Sequence, residues 1–196
     1  MDVLMPEDGI NVVGRKPRVS REDWIVAATE VLRESGVDGV KVIVIAKKMG
    51  VTSGSFYWHF EKLSDLLDAV LYHWEHHLTD HVIQDAVNFG GSGEQRIYNL
   101  MRQVLTDKAA EPDHAISIWA KTDPKARKSY DRTLSRRFKF AAWMFKQIDF
   151  SPEDAKTRGR LMVAYLMGES TSNLLLHEDW EETLKRQFEV LVSGRP

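Results

Sequence analysis

Three observations predict an all-α protein of about nine helices. Apolar residues recur at three- and four-residue intervals along almost the whole chain, strand-like alternation is scarce, and Gly, Pro and small hydroxyl residues fall where helices start and stop. The first helix opens at Ser20, an N-cap with Asp23 three residues on as a variant capping box. It carries Ile25, Ala28 and Leu32 on one face and stops at Gly36. VDGV is a turn. VIVIAKKMG forms a second short helix ended by Gly50, and Thr52 caps a third from Ser53 to about His59. From about Ser64 a long helix runs through LLDAVLYHWEHHLTDHVIQDAV to the loop NFGGSG. Further helices span roughly 94–109, 113–121, 124–147, 152–176 and 179–192. Pro112, Pro124 and Pro152 stand at helix starts, where the missing N–H costs nothing.

The composition narrows the function. With 196 residues, 43% of them hydrophobic, the chain can bury one or two cores. It has no cysteine, which excludes disulfides, thiolate metal sites and cysteine nucleophiles. No apolar run approaches the ~18 residues a membrane span needs, and MDVLMPEDGINVVG lacks the pattern of a secretion signal. A cytoplasmic protein is expected. The net charge of −2 is unevenly spread: Arg15 to Lys62 holds nine Lys/Arg against six Asp/Glu, and the remainder is acidic. A basic N-terminal unit on an acidic body suits an anion-binding module.

The stretch VTSGSFYWHF, residues 51–60, crowds four rings behind small hydroxyl residues. Three short helices with a tight glycine turn between the second and third fit a helix-turn-helix, whose last helix enters the DNA major groove. The hydroxyls of Thr52, Ser53 and Ser55 suit phosphate oxygens, and Gly54 permits close backbone approach. Tyr57 and His59 can donate to phosphates, whereas Phe56 and Phe60 suit packing on the first two helices. A core role for all the rings is the alternative.

The span RVSREDWIVAATEVLRESGVDGVKVIVIAKKMGVTSGSFYWHFEKLSDLLDAV resembles the DNA-binding domain of the tetracycline-repressor (TetR/AcrR) family of bacterial regulators. Ile25, Ala27, Ala28, Leu32, Gly36, Ile45, Ala46, Gly50, Val51, Gly54, Tyr57, Phe60, Leu66 and Leu67 carry the likeness. It implies DNA contacts from Thr52, Ser53, Gly54, Ser55, Tyr57, Trp58 and His59. Tyr57 and His59 would clamp phosphates, and Ser55 and Trp58 would read bases. Lys47, Lys48 and Lys62 are further phosphate candidates, and Arg18 belongs to a basic arm suited to the minor groove. The chain departs from the family pattern at Lys41, Ile43 and Val44, where a cap and charges are usual, and at Leu63, where a lysine is frequent. The apolar pair Ile43 and Val44 suits packing on a partner domain or a neighbouring subunit. With no Arg or Lys on the third helix, apolar contacts to thymine methyls and DNA shape are expected to matter more than guanine reading.

The implied division is a disordered arm over 1–18, a helix-turn-helix domain over 19–63, and a ligand-binding and dimerisation domain over 64–196. Pocket candidates are Trp74, Tyr98, Met101, Trp119, Trp143, Met144, Met162 and Tyr165, with Arg102 and His114 to orient a polar group. They suit an apolar or aromatic effector, and ordinary core packing is the alternative for each. Trp180, Leu184, Phe188 and Leu191 form one apolar stripe, and Ala164, Gly168 and Ser172 recur every fourth residue. The two sets serve a homodimer interface or the subunit's own packing. His73, His77 and His81 share a helical face, a spacing able to chelate zinc, yet no metal or other cofactor is expected.

The expected function is a dimeric, ligand-relieved repressor acting on a palindromic DNA operator, and not an enzyme. The alternatives are a dimeric small-molecule-binding protein with weakened or lost DNA binding, and a metal-dependent enzyme built on the histidines.

Overall fold

The computed structural model describes residues 19–107, 111–172 and 179–194, and the expected basic arm with Arg18 lies outside them. Nine α-helices and two irregular helical stretches make up the described fold, and no strand occurs among these residues.

Helix α1 (Arg21–Gly39) starts where the sequence places it. Ser20 Oγ accepts from Asp23 N at 3.2 Å, and Ser20 N donates to the Asp23 carboxylate at 2.7 Å. The expected stop at Gly36 is a kink: its φ of 68° breaks the helix, and one more turn follows through VDG. Helix α2 (Val42–Met49) ends at Gly50, whose φ of 68° is the left-handed cap that glycine adopts without a steric penalty. The third element, Ser53–Trp58, is a 3-10 helix rather than an α-helix, and Thr52 does not cap it with its side chain. Ser55 Oγ instead donates to Thr52 O at 2.7 Å. Six residues containing a glycine are too short and too flexible to hold a longer α-helix alone.

The long helix begins one residue earlier than expected, as α3 (Leu63–Tyr72). It passes through a π-helical stretch, His73–Leu78, into α4 (Thr79–Asn88). The π turn ends where Thr79 donates both its N–H and its hydroxyl to Trp74 O. Then come α5 (Gly93–Thr106), boxed by Ser92 and Gln95, α6 (Glu111–Trp119) and α7 (Pro124–Lys146). Asp123 caps α7 by accepting from Lys125 N and Ala126 N at 2.8 Å. The fold closes with α8 (Pro152–Ser172) and α9 (Trp180–Val192).

Two cores result. The first joins α1, α2 and the 3-10 helix to α3, α6 and the start of α7, around fully buried Trp24, Phe56, Leu66 and Trp74. The second gathers α5, α7, α8 and α9 around Ile97, Met101, Phe145 and Leu184. The apolar stripe of α9 therefore packs inside the subunit. Leu184 is fully buried, Phe188 meets Tyr98 edge-on at 5.4 Å, and Trp180 and Leu191 rest half-buried on the same core. Ala164 and Gly168 are exposed on α8, while the side chain of Ser172 lies outside the described set.

Helices α7 and α8 come into backbone contact distance at Gly159. A Cβ there would lie 2.6 Å from the Ala142 nitrogen and 2.9 Å from the Ala141 carbonyl carbon. Gly159→Ala is expected to destabilise the fold by about 1–3 kcal/mol, because backbone must shift to admit the methyl. Urea unfolding checks this.

The π stretch is held to α7 by charge as well as by packing. Glu75, on the π stretch, takes Ser129 Oγ at 2.7 Å and a bidentate guanidinium from Arg132 of α7 at 2.8 and 2.7 Å. Arg132 foremost, then Ser129, holds this carboxyl below the usual glutamate range against the opposing effect of burial. A depressed carboxyl pKa stabilises the fold above the unfolded value and loses that effect as pH falls through the folded one. Glu75→Gln should therefore cost about 1–3 kcal/mol at pH 7. The gap to the parent protein should narrow below about pH 4.3, as measured by unfolding across pH.

Candidate functional site

The 3-10 helix divides its rings. Phe56 is fully buried, edge-on to Trp24 at 5.4 Å and stacked with Phe60 at 5.5 Å, so two rings of the stretch hold the element on α1. Tyr57 and Trp58 point the other way, 66% and 84% exposed. Residues 52–55 alternate between exposed and half-buried along the same edge, and His59 is half-buried. A 3-10 helix repeats every three residues, which is why Phe56 and its two successors cannot share a face.

The cations around this edge are unequal. Lys48 is engaged by Glu34 at 2.9 Å and Glu30 at 3.2 Å, and so ties α2 to α1. Lys47 and Lys62 are exposed; the Lys62 backbone N–H donates to the Asp65 carboxylate at 3.3 Å. Among the described residues Ile43 and Val44 are not covered by another part of the fold. They face outward, 70% and 41% exposed, while Lys41 supplies no side-chain cap to α2. Leu63 is half-buried against the first core, so its side chain packs instead of facing outward.

The histidines do not converge. His73 lies 2.9 Å from Glu22 and stacks on His77 at 5.2 Å, while His76 faces Asp80 at 3.7 Å and His81 faces Asp85 at 3.0 Å. Burial, more than the Glu22 charge can offset, holds the His73 pKa below its ordinary value. His73 and His77 keep their four-residue stack through the π stretch, while His76 and His81 face carboxylates on their own helix instead. Among the described residues no three His, Cys, Asp or Glu side chains are grouped to hold a metal.

A second candidate site lies between α4, α5, α7 and α8. It is a cavity of about 60 Å³ lined by apolar side chains that include Leu78, Val82, Leu100, Phe140, Met162 and Leu166. Of the pocket candidates that the sequence suggests, Met162 alone lines it. Trp74, Met101, Trp119 and Met144 are spent in the cores. Tyr98 packs on Phe188, Trp143 is 39% exposed and stacked on Phe140, and Tyr165 is half-buried off the cavity. Arg102 is at the surface, 3.7 Å from Glu181, and His114 is exposed.

The polar groups in the cavity wall are ones that sequence reasoning missed. Arg137 Nη1 donates to Asp113 at 2.5 Å, and its Nε and Nη2 donate to Thr79 Oγ1 at 3.3 and 3.0 Å. Asp113 is 1% exposed and also accepts from Trp74 Nε1 at 2.7 Å. No sequence signal joins an aspartate in EPDH to an arginine in SRRF; the pairing exists only once α6 and α7 are packed.

Likeness to known proteins is strongest around the first of these sites. Residues 25–70 match the model of "Bacterial regulatory proteins, tetR family". The tetracycline repressor protein class D of Escherichia coli is 42% identical over 53 residues, 27% of this chain and 24% of the repressor. The chain thus matches about a quarter of the length of that relative. The fold extends further. A transcriptional regulator from Rhodococcus sp. Rha1 aligns over 90% of this chain and 97% of its own, with a TM-score of 0.69 and 24% identity. FadR from Bacillus subtilis, solved in complex with stearoyl-CoA, aligns over 90% and 100%, with a TM-score of 0.65 and 17% identity.

The divided rings set an expectation for stability. Phe56→Ala should cost about 3–5 kcal/mol, and Trp58→Ala should change stability by less than about 0.5 kcal/mol. Thermal unfolding of the two variants checks the division.

Proposed function

We propose that this chain, a TetR-family member through residues 25–70, is a sequence-specific DNA-binding transcriptional regulator. It acts in the cytoplasm as a homodimeric repressor on a palindromic operator and is released from DNA by a small apolar effector. The observation that carries the reading is the outward pair Tyr57 and Trp58, projecting beside Thr52, Ser53, Gly54 and Ser55 from an element pinned by Phe56. A fixed edge of hydroxyls, amide groups and two exposed rings suits phosphates on its flanks and base edges at its centre. Tyr57, His59, Lys47 and Lys62 take the phosphates, while Ser55 and Trp58 read bases. Ile43 and Trp58 bring apolar surface to a groove in which thymine methyls are the apolar groups.

A two-fold operator calls for a two-fold protein. The exposed side of α8, with Leu161, Ala164 and Gly168, and the exposed Val190 of α9 supply the dimer face. The half-buried Trp180, Phe188 and Leu191 of the α9 stripe border this face, while Leu184 is buried within the subunit. The cavity supports effector binding, as does the fold it shares with a regulator solved with stearoyl-CoA. An effector acts by favouring a dimer whose two reading elements no longer match grooves one turn, ~34 Å, apart.

The test is selection of bound fragments from the source genome by the purified protein at ~0.15 M salt. A two-fold symmetric motif is expected. A folded dimer, freed of co-purified ligand, that enriches nothing would leave only the small-molecule-binding reading. Against the selected site, Tyr57→Phe should weaken binding by a similar factor on all sequences, whereas Trp58→Ala should alter sequence preference, both measured at fixed salt.

A further inference from the structure

The cavity's charge balance restricts what it can hold, given the reading that it takes an effector. Its lining carries two charged side chains among the described residues, Asp113 and Arg137, and they neutralise one another. Asp113 has a donor on each oxygen, Trp74 Nε1 on Oδ1 and Arg137 on Oδ2, at 1% exposure. Arg137 is not fully engaged. A guanidinium has five N–H donors, and three contacts, one to Asp113 and two to Thr79 Oγ1, engage its three nitrogens. Donor capacity remains on Nη1 and Nη2, on a side chain only 17% exposed. The remaining lining, Thr79 apart, is apolar.

Three kinds of guest meet this wall differently. A carboxylate would add a second negative charge to one guanidinium and leave a net buried charge, which low-polarity surroundings penalise. An ammonium would stand as a second buried cation beside Arg137, sharing the one Asp113 carboxylate and leaving a net positive charge. A guest with one uncharged acceptor completes the guanidinium and leaves the charge balance intact. We propose that the cavity selects an uncharged, mainly apolar molecule bearing a single hydrogen-bond acceptor, such as the carbonyl of a ketone or ester. Arg137, held in place by Asp113, Thr79 and the Trp74 ring 5.4 Å away, reads that acceptor. The space, about 60 Å³, against roughly 10–15 Å³ for one water on the same kind of measure, suits a guest of few heavy atoms.

The indole N–H of Trp74 reports on the site, since it bonds the carboxylate that holds Arg137. Its cross-peak in a ¹⁵N–¹H spectrum, assigned with Trp74→Phe, is followed while the full chain is titrated with 2-hexanone, with pentanoate, and separately under xenon. The parent protein should bind 2-hexanone at least tenfold more tightly than pentanoate. In Asp113→Asn the pair no longer cancels, and the order should invert. Tighter pentanoate binding in the parent, or the same order in both proteins, overturns the proposal. Should Asp113→Asn fail to fold, the paired variant Arg137→Met with Asp113→Leu removes both charges together. It should lose at least tenfold in 2-hexanone affinity while still responding to xenon, and unchanged affinity overturns the proposal. Xenon separates the two levels of failure. A xenon response without the ketone preference leaves an effector cavity whose acceptor reading is wrong, and no response to any of the three probes removes the cavity from both readings.

Discussion

Two buried carboxylates, Glu75 and Asp113, determine where the central helix of this protein lies. Neither is tolerable in an apolar interior unless it is paired and hydrogen-bonded. Glu75 is 5% exposed and Asp113 1% exposed, and both find their guanidinium on α7, at Arg132 and Arg137. A third pair, Arg136 with Asp80, extends the same row. A hydrophobic contact tolerates sliding, but a bidentate guanidinium and its carboxylate do not. The row therefore fixes the rotation and height of the π stretch against α7. Through α3, the next stretch of the same helix, it fixes the α1–α2 unit beside which Tyr57 and Trp58 are exposed.

The sequence is informative wherever one residue type has one job. Ser20 with Asp23, Gly50, and Pro124 after Asp123 mark helix ends because capping and φ restriction act within four residues. The division of the rings is legible for the same reason, since Phe56 and Phe60 have no polar atom to offer a solvent-exposed edge. The π turn is not legible. His73, His77 and His81 have the spacing of an ordinary helical face, and an extra residue in one turn leaves no mark on apolar periodicity. The α9 stripe is legible as a stripe, but periodicity reveals only that a face is buried, not whether its own chain or a second one buries it. Leu184 is covered by its own subunit, while Trp180, Phe188 and Leu191 stay half-buried.

The cavity is the least legible part, and the aromatic residues point away from it. Large rings such as Trp74 and Trp119 fill space, so in a packed interior they line cores more readily than they leave voids. The void lies instead where branched and flexible aliphatic side chains from four helices meet imperfectly, at Val82, Leu100, Met162 and Leu166. Its polar wall comes from Asp113 and Arg137, residue types that sequence reading assigns to solvent.

The cavity and the ion-pair row meet within about one turn of backbone, and the proposed effector response rests on that proximity. Leu78 and Thr79 line the cavity, while Trp74 and Glu75, one turn earlier, are bonded to Asp113, Ser129 and Arg132. Arg137 touches both sides, through Thr79 on the cavity wall and through Asp113 to Trp74. A guest that only fills space presses on Leu78 and Val82 and leaves the ion-pair row intact. A guest that draws on the remaining donors of Arg137 joins the group that also bonds Thr79 and Asp113, and so acts on the bonds that hold the helix leading to the exposed Tyr57–Trp58 edge. Since a ligand shifts an equilibrium only by its differential affinity for the two states, the second kind of guest has the larger lever. The acceptor, rather than the apolar bulk, is where an effector's signal would enter.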